Sequence, residues 1–146
     1  MDLSRFKWPI IIVVVGLLIW LTTDGGVSYM HKKLNNAQVG VDAKRDEMNE
    51  AAYSRLGGFL MATYRFKKAH EVFNDCLDRY PDGKNSQYIL FRIAKCEQKM
   101  GNVERAVRIL ENLRDTNAFE VDSRVSPPDV LELRITKLKE LHEIDR

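Results

Sequence analysis

The chain has 146 residues, with 23 basic and 21 acidic ones, so its formal net charge is +2. Four basic and two acidic residues precede position 35, which leaves 19 of each in the rest of the chain. A formally neutral domain lacks the electrostatic footprint of a nucleic-acid-binding protein, and about 110 residues suffice for one small domain.

The first predicted element is an apolar helix near the amino terminus. Pro9–Leu21 is an uninterrupted uncharged run that reads PIIIVVVGLLIWL, with Trp8 and Trp20 near its ends. Tryptophans at both edges are typical of an interfacial aromatic belt, and a helix from Arg5 to Asp24 would cover about 28 Å. The sequence therefore predicts a single membrane span, with residues 1–24 as the anchor. A cleaved signal peptide and a buried core helix are the alternatives.

Charges on both sides of this segment bear on its orientation. Arg5 and Lys7 precede it, and Lys32 and Lys33 follow it. Because Lys7 adjoins the apolar run directly, the positive-inside rule favours an amino terminus in the cytoplasm. The predicted localisation is a bacterial inner membrane with the rest of the chain facing the periplasm. A domain that faces the cytoplasm is the alternative.

Residues 25–49 are expected to form a juxtamembrane stalk. Gly25 and Gly26 predict a helix break at its start, and good helix formers without a convincing apolar stripe follow. A solvated stalk helix is the first interpretation, and a helix bound to a partner is the second, since an isolated polar helix is marginal.

Two related helical segments follow, at 50–83 and 87–118. The signature of the first consists of Tyr53, Leu56, Gly57, Leu60, Ala69, Phe73, Cys76 and Pro81. Three core positions of the first segment recur 37 residues later in the second segment, at Ala106, Leu110 and Leu113. Each segment predicts two helices, and Phe66–Arg79 is the second helix of the first pair. The first segment resembles a tetratricopeptide repeat, and this resemblance implies that Gly57 lets the two helices of the pair approach closely, with Ala69 at the crossing.

A last helix is predicted over residues 126–144. Ser126-Pro127-Pro128-Asp129 forms a strong helix start. One face of this helix then carries apolar residues and the opposite face carries charges. The apolar face comprises Leu131, Ile135, Leu138 and Leu141 or Ile144. This pattern fits a capping helix with a polar outer side.

The two segments resemble the tetratricopeptide repeat family, whose usual period is about 34 residues. The resemblance implies an all-α fold, with residues 50–146 as a small repeat domain closed by the capping helix. Three extra residues are then inserted between the repeats, most simply within 82–87. The layout is also similar to bacterial membrane-anchored repeat proteins that attend envelope complexes, such as translocon-ancillary subunits.

Family members bind partners in a groove lined by the first helix of each repeat. Carried over to this sequence, the resemblance implies six partner-binding residues: Gly58, Met61, Tyr88, Phe91, Lys95 and Lys99. Gly58 would let a ligand backbone approach. The aromatic and cationic residues would suit a peptide with apolar anchors and an acidic group. In the competing interpretation, Tyr88 and Phe91 only cover the stalk or the capping helix.

The sequence contains no motif typical of a catalytic or metal-binding site. The three histidines, His31, His70 and His142, are scattered and lack metal-ligand spacing, and His70 is expected on a solvated surface. Cys76 and Cys96 are too far apart for a CxxC motif and are expected as free buried thiols, with a disulfide as the alternative. We therefore predict no catalytic, cofactor or metal site and no small-molecule or nucleic-acid ligand.

The functional prediction is a non-enzymatic, membrane-anchored adaptor or structural subunit that docks onto a membrane protein complex and stabilises it. One alternative is a receptor or chaperone-like subunit that binds transient peptide segments. Another is a regulator or subunit of an enzyme that lacks an active site of its own.

Overall fold

The computed structural model describes residues 4–142, which form helices and no strand, as the all-α prediction requires. The helices are α1 (Ser4–Thr22), α2 (Asp24–Asn35), α3 (Ala43–Ala62), α4 (Phe66–Arg79), α5 (Ser86–Lys99), α6 (Val103–Asp115), α7 (Ala118–Val121) and α8 (Pro128–His142). The chain divides after Ala37 into two compact units. The first contains α1 and α2, and the second contains α3–α8.

Helix α1 does not support the predicted membrane anchor. Among the described residues, no helix combines the length and the apolar character needed to cross a membrane. Arg5 and Lys7 fall inside α1, so its uncharged part runs only from Trp8 to Thr22. That part measures about 22 Å as a helix, whereas the hydrocarbon layer is ~30 Å thick. The predicted single-pass localisation is therefore wrong.

The break after α1 lies at Thr23 and not at the two glycines. Thr23 precedes α2, and its side-chain oxygen accepts a hydrogen bond from the Gly26 N–H at 3.4 Å. Gly25 and Gly26 therefore lie in the first turn of α2. A threonine cap satisfies a free helical N–H group, which explains why the helix starts before the glycines.

Helix α3 begins at Ala43, inside the segment expected as a stalk. The Asp42 side chain caps it by accepting a hydrogen bond from the Lys44 N–H at 3.0 Å. The loop before it turns at Gly40, whose φ of +83° lies in the left-handed region that favours glycine.

Helices α3 and α4 form the first repeat around the predicted core. Helix α4 has the predicted bounds, and Ala69, Phe73 and Cys76 are fully buried in it. Gly57 serves close packing as expected, but its neighbour is Phe73: a Cβ atom on Gly57 would overlap the Phe73 ring. The Phe73 ring thus makes the closest approach to Gly57, whereas the sequence placed Ala69 at this crossing; Ala69 is fully buried in the same helix.

The second repeat, α5 and α6, shares its core with α8. Leu110 and Leu113 of α6 are buried in the same cluster as the inner residues of α8, and Ala106 is fully buried as well. These inner residues are Leu131, Ile135 and Leu138, as the capping prediction requires. Leu141 is exposed, and Ile144 lies outside the described residues.

The turns inside the two repeats have the same geometry. The N–H of Arg65 donates to the carbonyl of Leu60 at 2.8 Å, and the N–H of Asn102 donates to that of Glu97 at 2.9 Å. In each turn the preceding residue has a positive φ, which is 60° at Tyr64 and 86° at Gly101. This is the hydrogen bond of a Schellman motif. Positions 64 and 101 differ by the same 37 residues as the core positions, so the turns share the register of the repeats.

Glu50 connects the two repeats through a buried carboxylate. The side chain is only 3% exposed, and it accepts a hydrogen bond from the N–H of Asn85, just before α5, at 2.5 Å. A negative charge at this end of a helix is favourable because the first N–H groups are unpaired. Gly83 leaves the space for this carboxylate, which a Cβ atom would fill.

Candidate functional site

One face of α5, together with residues from α3 and α8, brings aromatic and cationic side chains together. We call this surface the cationic face. Its members are Gly58 and Met61 of α3, Tyr88, Arg92, Lys95 and Lys99 of α5, and Arg134 of α8. The α5 members recur at spacings of three and four and therefore lie on the same side of the helix.

Arg92 fixes α5 against α3 at the centre of this face. Its Nη1 donates a hydrogen bond to the backbone oxygen of Ser54 at 2.8 Å, and its Cζ lies 5.0 Å from the centroid of the Phe73 ring. A Cβ atom on Gly58 would collide with the Arg92 guanidinium. The room at Gly58 is thus occupied by Arg92 and not left for a ligand backbone, which corrects the sequence expectation.

Phe91 belongs to the core and is not exposed on the cationic face. It is 4% exposed and packs in the cluster that α6 and α8 share. Phe91 therefore lies under α8, as the competing interpretation expected for this residue, and its burial does not fit the prediction that it contacts a partner directly. Its ring instead supports two cations, with Lys95 Nζ at 4.4 Å and Arg134 Cζ at 5.7 Å from the ring centroid.

Burial disfavours the charged forms of two cations on this face. Burial lowers the pKa of Lys95 from its ordinary value, and the neighbouring charges of Arg134 and Arg92 lower it further. Burial also lowers the pKa of Arg134, whose Nη2 donates a hydrogen bond to the neutral Gln98 side chain at 2.5 Å. Within residues 4–142, none of these three cations forms an ion pair. Positive charge without a counter-charge suits an anionic ligand.

Tyr88 is half-buried and lies between two guanidinium groups. Arg92 Cζ is 5.1 Å and Arg124 Cζ is 4.5 Å from its ring centroid. Arg124 is itself fixed by Asp122, whose carboxylate accepts hydrogen bonds from Arg124 Nε and Nη2. These hydrogen bonds hold the pKa of Asp122 below its ordinary value. Tyr88 is therefore a preorganised aromatic surface, since stacked guanidinium groups restrict its ring.

The remaining predicted residues lie where a partner could reach them. Met61 is half-buried and Lys99 is exposed. Sequence reasoning missed Arg92, Arg124 and Arg134. Arg92 could have been found, because it lies four residues after Tyr88 and three before Lys95. Arg134 flanks the apolar stripe of α8, but only the packing of α8 shows that it reaches Phe91.

A separate polar cluster lies where α4, α5 and α6 meet. The Glu97 side chain is 4% exposed, and His70 Nε2 lies 2.9 Å from its carboxylate. Asn102 Nδ2 donates to the same carboxylate at 2.7 Å. His70 is therefore a partner of a buried acid, and the prediction of a solvated surface histidine is wrong. A stabilising role is the simplest assignment, because the acid receives hydrogen bonds from both repeats.

The two cysteines are free and fully buried, as predicted. Burial raises the pKa of the Cys76 thiol to about 12 and that of Cys96 to about 11. Since the thiolate is the reactive form, both act as small apolar core residues.

Comparison with known families supports this fold. The family model described as Tetratricopeptide repeat matches residues 88–117, which cover most of α5 and all of α6. The protein is thus tetratricopeptide-like and carries a repeat of the kind that typically binds proteins. Neither the comparison with curated proteins nor that with solved structures found a match.

Replacing Lys95 by methionine is expected to stabilise the fold slightly. Lys95→Met removes a cation whose folded-state pKa is lowered and keeps an apolar chain over Phe91. Because a lowered lysine pKa opposes folding wherever the lysine is charged, the free energy of unfolding at neutral pH should rise. We expect about 0.5 kcal/mol after solvent screening is allowed for.

Urea denaturation at neutral pH and again above the pKa of lysine measures this difference. The gain should shrink at high pH, where the lysine is neutral in both the folded and the unfolded chain. A Lys67→Met control on the exposed side of α4 should show no such gain, and equal gains in both variants would contradict the explanation.

Proposed function

We propose that this protein is a non-enzymatic adaptor or structural subunit whose cationic face binds an acidic segment of a partner protein. The observation that carries the proposal is a set of three cations on one face, Arg92, Lys95 and Arg134, none of which has an ion-pair partner in the described part of the chain. The binding unit comprises α3–α8.

The chemistry of this face supports a peptide ligand. Tyr88 supplies a rigid aromatic surface, and such residues give contact area at low entropic cost. Met61 adds a flexible apolar contact that adapts to different side chains. Lys99 lies at the exposed edge of the face, where a charge contributes more to association rate and salt dependence than to affinity. An acidic segment with a neighbouring apolar residue complements all three.

Charge reversal on the cationic face should release the partner. We expect Lys99→Glu combined with Met61→Glu to weaken binding by about tenfold or more, because two carboxylates would then repel an acidic segment. The measurement is quantitative affinity purification of the tagged full-length chain, with the partner then purified and its affinity measured by calorimetry.

The matched control is Lys67→Glu, which reverses an exposed charge on α4, away from the cationic face. It should keep the partner, and circular dichroism should show that all variants are folded. A double variant that binds as tightly as the unmodified chain would place the contact surface elsewhere and contradict the proposal.

The stoichiometry of the complex decides between a structural subunit and a receptor for transient segments. A structural subunit copurifies at a fixed ratio through extensive washing, whereas a receptor dissociates during it. Size-exclusion chromatography with light scattering on the purified complex gives this ratio.

A further inference from the structure

We propose that Arg92, Lys95 and Arg134 form a subsite for a phosphorylated side chain, so that phosphorylation of the partner segment controls its binding. This proposal rests on the proposed function, because it names the group that the cationic face selects within the bound segment.

Two of the three cations lie against one aromatic ring, and the third lies one turn away on α5. Lys95 Nζ and Arg134 Cζ lie over the same Phe91 ring, at 4.4 Å and 5.7 Å from its centroid. The two charges are therefore no more than about 10 Å apart. Arg92 lies one turn before Lys95 on α5, and its charge contributes to the lowered pKa of Lys95. The charges of Arg134 and Arg92 both act on Lys95, so the three positive potentials overlap at this part of the surface.

Charge balance favours a dianion over a single carboxylate. A phosphorylated side chain carries about −1.5 to −2 charges and three acceptor oxygens at neutral pH. A carboxylate supplies one charge and would leave most of the repulsion among the three cations in place. Two separate carboxylates would have to converge on one small area, whereas a phosphoryl group brings both charges at once.

The donors of this subsite also match a phosphoryl group. Guanidinium groups bind phosphate oxygens through paired N–H donors, and clusters of arginines recognise phosphorylated segments in other proteins. Arg92 Nη1 donates to the backbone oxygen of Ser54 at 2.8 Å and to its hydroxyl at 3.4 Å, which fixes the position of the guanidinium and leaves its Nε and Nη2 groups for a ligand. Arg134 is held by the Gln98 amide, a neutral partner that leaves its charge uncompensated.

Binding of three matched tripeptides to the full-length chain tests this subsite. The probes are acetyl-glycyl-phosphoseryl-glycine amide and the same peptides with glutamate or serine at the centre. Nuclear magnetic resonance titration should show that the phosphoserine peptide binds about tenfold tighter than the glutamate peptide, and that the serine peptide does not bind. Equal affinity for the phosphoserine and glutamate peptides would overturn the phosphoryl selectivity, and no binding of any probe would overturn the subsite.

Substitutions then assign the binding to these residues. Arg134→Gln should weaken the phosphoserine peptide by about tenfold, and Lys95→Met serves as a second variant should Arg134→Gln fail to fold. The control is Arg108→Gln, which removes an exposed arginine of α6 and should leave the affinity unchanged. Affinity that is the same in Arg134→Gln or Lys95→Met as in the unmodified chain overturns the assignment.

Failure of this inference can be told from failure of the proposed function. If phosphatase treatment leaves the partner bound while the charge-reversed face releases it, the phosphoryl selectivity is wrong and the acidic-segment adaptor stands. If the charge-reversed face also retains the partner, the proposed function itself is wrong.

Discussion

Phe73→Ala is expected to lower the free energy of unfolding by about 3–5 kcal/mol, the largest effect of any single substitution considered. Phe73 of α4 is fully buried. Its ring packs against Gly57 of α3 and lies beneath the guanidinium of Arg92. Truncation opens a cavity and removes the surface that supports Arg92. Since the free energy of unfolding of a small domain is only about 5–15 kcal/mol, this loss is a large fraction of it.

Urea denaturation followed by far-ultraviolet circular dichroism measures the change. The control is Phe119→Ala, because Phe119 is 37% exposed and should cost much less. A Gly57→Ala substitution should destabilise the unmodified chain but cost less in the Phe73→Ala background, where the ring that it would strike is gone. Additive costs would show that the two residues do not meet.

Glu97→Ala is expected to cost about 2–3 kcal/mol, because it removes a buried carboxylate that accepts hydrogen bonds from both repeats. His70 of the first repeat and Asn102 of the second both reach this carboxylate. The Glu97 side chain is only 4% exposed, so the carboxylate makes these hydrogen bonds largely out of water.

The matched control is Glu104→Ala, which removes an exposed acid from the first turn of α6. Glu104 pairs with Arg108 at 3.9 Å while both side chains are largely in water, so its loss should leave the thermal midpoint nearly unchanged. Differential scanning calorimetry compares the two variants. Similar midpoints for both would show that Glu97 does not join the repeats energetically.

The sequence predicted the parts of the fold that depend on local spacing. Ala69, Phe73 and Cys76 recur at helical intervals, so both the bounds of α4 and its buried face followed from the pattern. The membrane prediction failed because it relied on the distance between flanking charges, whereas Arg5 and Lys7 lie within α1 and shorten its uncharged part.

The candidate site was harder to predict because it depends on packing between helices distant in sequence. The spacing of residues along α5 predicted that Phe91 lies on the same side as Tyr88 and Lys95. In the structure, however, α8 covers Phe91. Gly58 was correctly interpreted as making room, yet the group that fills it comes from α5. Arg134 could not be assigned to the face without knowing which side of α8 meets α5.

The size of the cationic face limits the length of the segment that it can bind. Its α5 members lie between Tyr88 and Lys99, which are about 16 Å apart along the helix. An extended chain covers that distance with about five residues. A recognition element of this size is a short linear motif, which can arise by few mutations in an otherwise unstructured stretch of a partner. The protein would then tolerate rapid exchange of partners over evolution while its own helices stay the same.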